Sequence, residues 1–332
     1  MTSPKRRVFK LDPFMIGMGI AVALAAAAPA IGSDDGPLRL GLVTDIGVAL
    51  VFFLHGAKLS THAVRAGLAN WRLQLLVHAS TFILFPLLGA AIFFGLDGVL
   101  TPELALGIFF LCAVCSTIST SVAMTAMAGG NVAAAVMAAT ASGLIGMALT
   151  PILMGLVSAT SGAHLPLGPA IRGVIIQLLI PFALGHALAF AVRPILERFK
   201  PVVTWIDRGV ILLIVYAAFS NLFAEGLWRQ QPPLALAVLV LVLVALLGIA
   251  LTFTTFAARA AGFSREDEIA IVFCGSKKSL ANGAPIARIL FDGSPALGVI
   301  MLPLILYHQL QLVVCAAIAR RYAARGAGDA GA

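Results

Sequence analysis

The chain has 332 residues, 61% of them hydrophobic and 11% charged, with a formal net charge of +8 and a mean hydropathy of +1.04. A soluble domain carries roughly a quarter charged residues, so this composition excludes an ordinary globular protein and points to an all-α polytopic membrane protein. The positive balance could suit nucleic acid, but basic residues also gather in the cytoplasmic loops of membrane proteins, and their placement along the chain distinguishes the two.

A spanning helix needs about 20 mostly apolar residues. Ten apolar segments follow one another, at about 13–32, 38–57, 73–95, 103–128, 131–157, 169–192, 206–225, 233–258, 268–290 and 295–318. Pro, Gly and charged residues punctuate them, as in SDDGP, HLPLGP and RQQPP. The first segment follows the basic stretch MTSPKRRVFK and ends AAAAPAIG, which resembles a signal peptide; a first span with its basic anchor inside is the alternative. With that span retained, 16 cations fall on the inner side, including Lys5, Arg6, Arg7, Lys10, Arg65 and Arg193, and 4 on the outer side, namely Arg39, Arg172, Arg229 and Arg288. This asymmetry predicts cytoplasmic termini, needs no nucleic-acid partner, and would invert if the first span were removed.

Five spans precede the loop SATSGAHLPLG and five follow it. An odd-numbered unit repeated once must be inverted in the membrane, an organisation found in secondary transporters. The expected divisions are a basic N-terminus (1–12), a first five-helix repeat (13–160), a second, inverted repeat (161–319) and a C-terminal tail (320–332).

The fourth segment of each half has an unusual composition. One reads LCAVCSTISTSVAMTAMAGGNVAAA and the other FCGSKKSLANGAPIARIL. Matched Gly- or Pro-interrupted spans point to a transporter's binding site. An unwound helix exposes backbone groups that lipid cannot satisfy, so it survives at depth only where it lines a cavity or is buried in protein. The candidate residues are Ser119, Thr120, Ser121, Thr125 and Asn131 in the first segment, Thr140 just beyond it, and Ser276, Lys277, Lys278, Ser279 and Asn282 in the second. Close packing of small residues accounts for Ser142, Gly143 and Gly146, and for much of 116–121.

Packing does not account for the two lysines. Lys277 lies nine residues past Glu268, roughly 13 Å into the span at about 1.5 Å per residue, near the middle of an apolar core about 30 Å thick. Snorkelling from there is difficult, and an ionisable group at that depth marks function. Adjacent helical residues do not share a face, so either the backbone is unwound here or one lysine points to the cavity and the other pairs elsewhere. The preceding SREDE reads as a helix start, with Ser264 capping Asp267 and the acids on the positive end of the dipole.

Other polar groups within spans are few. Asp45, inside the second span, is a candidate lysine partner or proton carrier, or else sits at the outer interface. His55 lies near the inner end of that span. His308, Gln309 and Gln311 form YHQLQ on the tenth span and are expected near the cavity. The four cysteines, Cys112, Cys115, Cys274 and Cys315, all fall in apolar runs and read as small packed thiols, although Cys112 and Cys115 form a CxxC.

STISTSVAMTAMAGGNVAAA, FCGSKKSLANGAPIA and YHQLQ together resemble the sodium/bile-acid symporter superfamily, and most of all its bacterial SBF-like branch, which is similar to the seventh vertebrate member of that family. The resemblance runs over about residues 12 to 322, and GSKKSLA-x-G-x-P is specific to the branch. It implies ten transmembrane helices as two inverted five-helix repeats, a panel domain of spans 1, 2, 6 and 7, a core domain of spans 3–5 and 8–10, and discontinuous spans 4 and 9 that cross at the centre. It further implies alternating access, a small-molecule organic anion as substrate and sodium as coupling ion. The sodium ligands carry over poorly. The family's glutamate and glutamine fall on Val272 and Ser276, and the following asparagine on Lys277. In the fourth span the family serine falls on Ser121 but its asparagine on Val122, and later hydroxyls on Ala135 and Ala139. Ser121, Thr140 and Ser276 are the sodium ligands that could remain. Two ammonium groups oppose a cation site, so the lysines are expected to take sodium's place, with a proton as the other possible coupling ion.

No cofactor and no enzymatic activity are expected, since Ser276 or Ser279 with an adjacent lysine makes poor dyad geometry on a helix. The alternatives are metalloid or ion efflux and a channel-like regulatory membrane protein. The expected location is a bacterial inner membrane.

Overall fold

A computed structural model describes residues 13–33, 36–38, 40–59, 70–160 and 167–329. The basic residues of 1–12, Arg39, Arg65 and the expected boundary at 160/161 lie outside the described residues or at their edge. Among the described residues the chain is almost entirely helical, with no strand beyond an isolated bridge between Asp97 and Leu100.

The long helices are α1 (Pro13–Ala27), α2 (Leu40–Lys58) and α3 (Trp71–Gly95), then α4 (Pro102–Ala113), α5 (Ser119–Met127) and α6 (Val132–Thr160). The second half has α7 (Ile171–Ala187), α8 (Ala189–Arg198), α9 (Lys200–Ala224) and α10 (Pro233–Ala260), then α11 (Arg265–Gly275), α12 (Leu280–Leu290) and α13 (Leu297–Asp329). Six described helices are long and apolar enough to cross a membrane, or seven if the pair α7 and α8 is one bent span. The protein is thus a polytopic membrane protein. All ten apolar segments are helical, but α1 is short, the segments at 103–128 and 268–290 are broken, and that at 169–192 overruns a 91° bend between α7 and α8.

Local chemistry sets the ends. Pro102 opens α4 behind Thr101, whose hydroxyl accepts from the Leu104 N–H; proline suits a first turn because its missing N–H would find no partner there. Gly129, at φ +75°, ends α5, and the next N–H, of Gly130, bonds the Thr125 carbonyl, a left-handed stop that only glycine adopts cheaply. Two π turns, Ser80–Leu84 in α3 and Ile175–Leu179 in α7, each end two residues before a proline, Pro86 and Pro181. A proline ring clashes with the carbonyl four residues back and cannot bond it, and the helix widens to accommodate it.

The helices pack in two groups. In one, α2 crosses α7 and α9, and α1 lies on α9. The α2–α7 crossing is very close: a Cβ on Gly56 would collide with the Phe182 carbonyl, and one on Gly185 with that of Phe53. The other group gathers α3–α6 and α10–α13 around α11 and α13. The groups meet where α9 touches α12 and α13 and where α7 touches α12. Leu42, Leu75, Leu87, Leu234, Leu241 and Phe256 stand exposed on the outside, a surface suited to lipid rather than water.

Candidate functional site

Both suspected spans are interrupted. Between α4 and α5, residues 114–118 leave the helix; between α11 and α12, residues 276–279 do. The breaks touch, the Ser279 N–H donating to the Cys115 carbonyl at 2.9 Å. A helix end leaves up to four carbonyls without partners, and here two such ends are buried together.

Hydroxyls close the end of α11. The Val272 carbonyl accepts from Ser276 at 2.6 Å, Phe273 from Ser121 at 2.9 Å, Cys274 from Ser116 at 2.6 Å and Gly275 from Ser80 at 2.8 Å. The Ser276 carbonyl accepts from the Tyr307 hydroxyl at 2.8 Å. The 116–121 stretch was expected mostly to pack; instead Ser116 and Ser121 cap a neighbouring helix.

An ammonium group closes the end of α4. Lys278 Nζ donates to the carbonyls of Cys112 (2.8 Å), Val114 (2.8 Å) and Thr81 (3.0 Å). Thr81 belongs to the π turn of α3, so the third acceptor comes from another irregular stretch of backbone. The Ala113 carbonyl between them takes the Thr150 hydroxyl at 2.9 Å. Lys278 Nζ also sits 4.1 Å from the centre of the Phe85 ring, within cation–π range. Lys277 points elsewhere: its Nζ donates to the Thr120 carbonyl at 2.9 Å and lies 5.6 Å from the Phe273 ring centre. Both lysines are fully buried, which rules out snorkelling, and the backbone that carries them is unwound. The negative end of the α4 dipole therefore faces an ammonium group supplied by the chain.

The backbone of the break is braced from α13. Gln311 accepts from the Lys278 N–H and donates to its carbonyl, both at 2.8 Å, and lies 3.0 Å from His308 Nδ1. Gln309 donates to Met18 Sδ at 3.7 Å. YHQLQ thus supports the crossover without lining the cavity.

The helix starts beyond the breaks face a cavity of about 320 Å³ between the two packing groups. Thr117, Ile118 and Ser119 at the start of α5, Ser279, Ala281 and Asn282 at the start of α12, and Thr140 on α6 form one wall; His55, Lys58, Phe182 and Asp207 form the other. The Ser279 hydroxyl accepts from the Asn282 N–H at 3.2 Å, whereas α5 has no side-chain cap. Two positive dipole ends directed at one cavity make it hospitable to an anion.

The remaining sequence candidates fall outside it. Thr125 back-bonds to Ser121, and Asn131 caps α6 and reaches Asp267 at 2.8 Å. Asp45 is not the lysines' partner: it faces Arg288 at 3.8 Å, toward the start of α2, away from the cavity at its other end. Of the possible sodium ligands, Ser121 and Ser276 are engaged with α11 carbonyls, while Thr140 is on the cavity wall. Ser264 caps Asp267 as expected, and Glu268 is held by Arg259 and Tyr322. All four cysteines are free and buried. Sequence reasoning missed Ser80, Thr81, Thr150 and Tyr307, along with Lys58, Thr117 and Asp207 on the cavity. Only the first pair carried a signal, two hydroxyl residues in HASTFILFP shortly before a helix proline.

The model of the SBF-like CPA transporter family (DUF4137) matches residues 12–324. The chain is 49% identical over 317 residues to PA2026 of Pseudomonas aeruginosa, covering 96% of this chain and 94% of that one. It is 45% identical to YfeH of Escherichia coli K12, whose name proposes a symporter, covering 94% and 93%. Sodium/bile acid cotransporter 7 of Mus musculus is 30% identical over 91% of this chain and 89% of its own.

Proposed function

This chain belongs to the SBF-like CPA transporter family, and on that premise we propose that it is a secondary active transporter of a small or amphipathic organic anion, with lysine ammonium groups standing where sodium would be held. The observation that carries the reading is Lys278, whose three N–H donors meet three backbone carbonyls at the crossing of the broken helices. Such a cluster of freed carbonyls would suit a bound cation; here the cation is covalent. Lys277 adds a second positive charge beside the start of α5. The protein acts as a carrier, not a catalyst.

The order of elements supports ten spans in two inverted repeats. A long helix, a short helix, a break, a second short helix and another long helix occur as α3–α6 and again as α10–α13, each preceded by two further segments. The packing groups correspond to a panel of α1, α2 and α7–α9 and a core of α3–α6 and α10–α13, and alternating access would be movement of one against the other. The cavity opens beside His55 and Lys58. The gap at the other end of α2, near Gly41, Thr44 and Arg288, encloses only about 10 Å³, which supports a state open to one side. The bias of cations toward one set of loops supports cytoplasmic termini in an inner membrane.

The test is uptake into proteoliposomes. A panel of organic anions is offered with sodium, potassium or proton gradients imposed separately. Saturable uptake without a sodium gradient, lost in Lys277→Ala and Lys278→Ala, is expected. Marked sodium dependence with an unaffected Lys277→Ala variant would overturn the reading.

A further inference from the structure

We propose that His55 and Asp207 form a proton-binding site on the panel wall of the cavity, whose protonation strengthens anion binding there; this rests on the anion-transport reading. The lysines are unsuited to proton exchange with the cavity, because both are fully buried and Lys278 has every donor engaged. His55 and Asp207 are different. Both line the cavity, with side chains 20% and 24% exposed, and His55 Nε2 lies 3.4 Å from Asp207 Oδ1. That is ion-pair distance without an aligned hydrogen bond, and the Oδ1 atom has no hydrogen-bond partner. The pair joins two elements, α2 and α9, and the Phe52 ring packs edge-on against the imidazole at 5.8 Å.

The surroundings make the charge of this site depend on one group. From α2 comes Lys58, a basic side chain on the same cavity. From α9 comes Arg208, whose guanidinium is over the Phe14 ring at 5.6 Å. From α8, Arg193 donates to the Leu59 carbonyl at 2.8 Å, and α7 brings His186 beside Gly56. The core wall contributes the neutral groups Thr117, Ser119, Thr140, Ser279 and Asn282. Among the described residues lining the cavity, Asp207 is the one carboxylate and balances Lys58. Histidine is the side chain that ordinarily changes charge between pH 5 and 8. When His55 takes a proton on Nε2, the carboxylate beside it holds the imidazolium, and the cavity gains one positive charge. An anion in the cavity and a proton on His55 then favour each other reciprocally.

The test uses the purified full chain with benzoate as probe, a carboxylate ionised throughout pH 6–8. Half-saturation, read by thermal shift, is expected at roughly tenfold lower benzoate at pH 6 than at pH 8, within the usual range of coupling between sites. His55→Gln is expected to remove that difference, and Asp207→Asn, which takes away the carboxylate that holds the imidazolium, to reduce it. Lys58→Gln is expected to weaken binding at both pH values while keeping the pH response. A ligand-free readout accompanies it: ring ¹⁵N signals of the six histidines, with His55 assigned by its loss in His55→Gln and changing with pH in the parent. A pH response retained in His55→Gln, or a His55 ring that does not titrate between pH 5 and 8, overturns the proposal. A titrating ring with pH-independent benzoate binding overturns the coupling alone. Absence of binding at every pH, for benzoate and for the anion panel, overturns the transport reading with it.

Discussion

The ammonium of Lys278 has three N–H bonds and meets three carbonyls. Replacing it by methionine keeps most of the volume and leaves those carbonyls buried without donors, at about 1–3 kcal/mol for each unsatisfied group. Part of this is offset because no charge need then be desolvated. A net loss of about 3 kcal/mol follows, read as a large fall in melting temperature in detergent. Lys278→Ala adds a sharper expectation. If the ammonium occupies a cation's place, sodium chloride should raise the melting temperature of this variant above its value in equal potassium chloride, and leave the parent unmoved. Ser121→Ala removes one cap from α11 and should cost only about 1 kcal/mol.

Helix α3 shows how an irregular element serves the crossover. Its π turn presents the Thr81 carbonyl to Lys278 and the Ser80 hydroxyl to Gly275, and Pro86 accounts for the turn. A proline inside a helix costs about 3 kcal/mol relative to alanine, so Pro86→Ala would ordinarily stabilise. Here it lets the helix close to regular α geometry and withdraws two partners from the break; the melting temperature is expected to fall rather than rise. The α2–α7 crossing makes a cleaner case. A methyl on Gly185 meets the Phe53 carbonyl, backbone that cannot swing aside, so Gly185→Ala should reduce the yield of folded protein in membranes, whereas Gly248→Ala, with open space around it, should not.

The two packing groups are also joined away from the cavity, by Asp45 on α2 and Arg288 on α12. On the proposed alternating-access mechanism, this contact must open. A partly exposed pair contributes up to about 1 kcal/mol, so Asp45→Asn or Arg288→Gln should shift the equilibrium by at most about fivefold. The measurement is labelling of an Asn221→Cys probe, which lines that closed face, by a membrane-impermeant maleimide in a background without the native cysteines. Both single variants should label faster, and the exchange of Asp45→Arg with Arg288→Asp should return the rate toward the parent. Unchanged rates in both single variants would show that this contact does not hold the face closed.

The sequence by itself determined where helices run and where two of them fail. Apolar length, prolines at first turns and the small polar stretches around STIST and GSKKS are local properties, and whether a helix can continue is decided locally. That Lys277 and Lys278 are buried was likewise legible, because apolar runs flank them on both sides. Only the tertiary structure decided what the freed groups bind. Lys278 and Thr81 are 197 residues apart, and Lys277 and Thr120 are 157 apart. Nothing near Ser80 or Tyr307 in the chain says that a carbonyl of the 275–276 turn will arrive beside it, and nothing near Asp45 says that Arg288, rather than a lysine, will. A buried polar group must find a partner, but which partner depends on which helices pack together. The same packing put His55 opposite Asp207 and turned two helix starts toward one cavity.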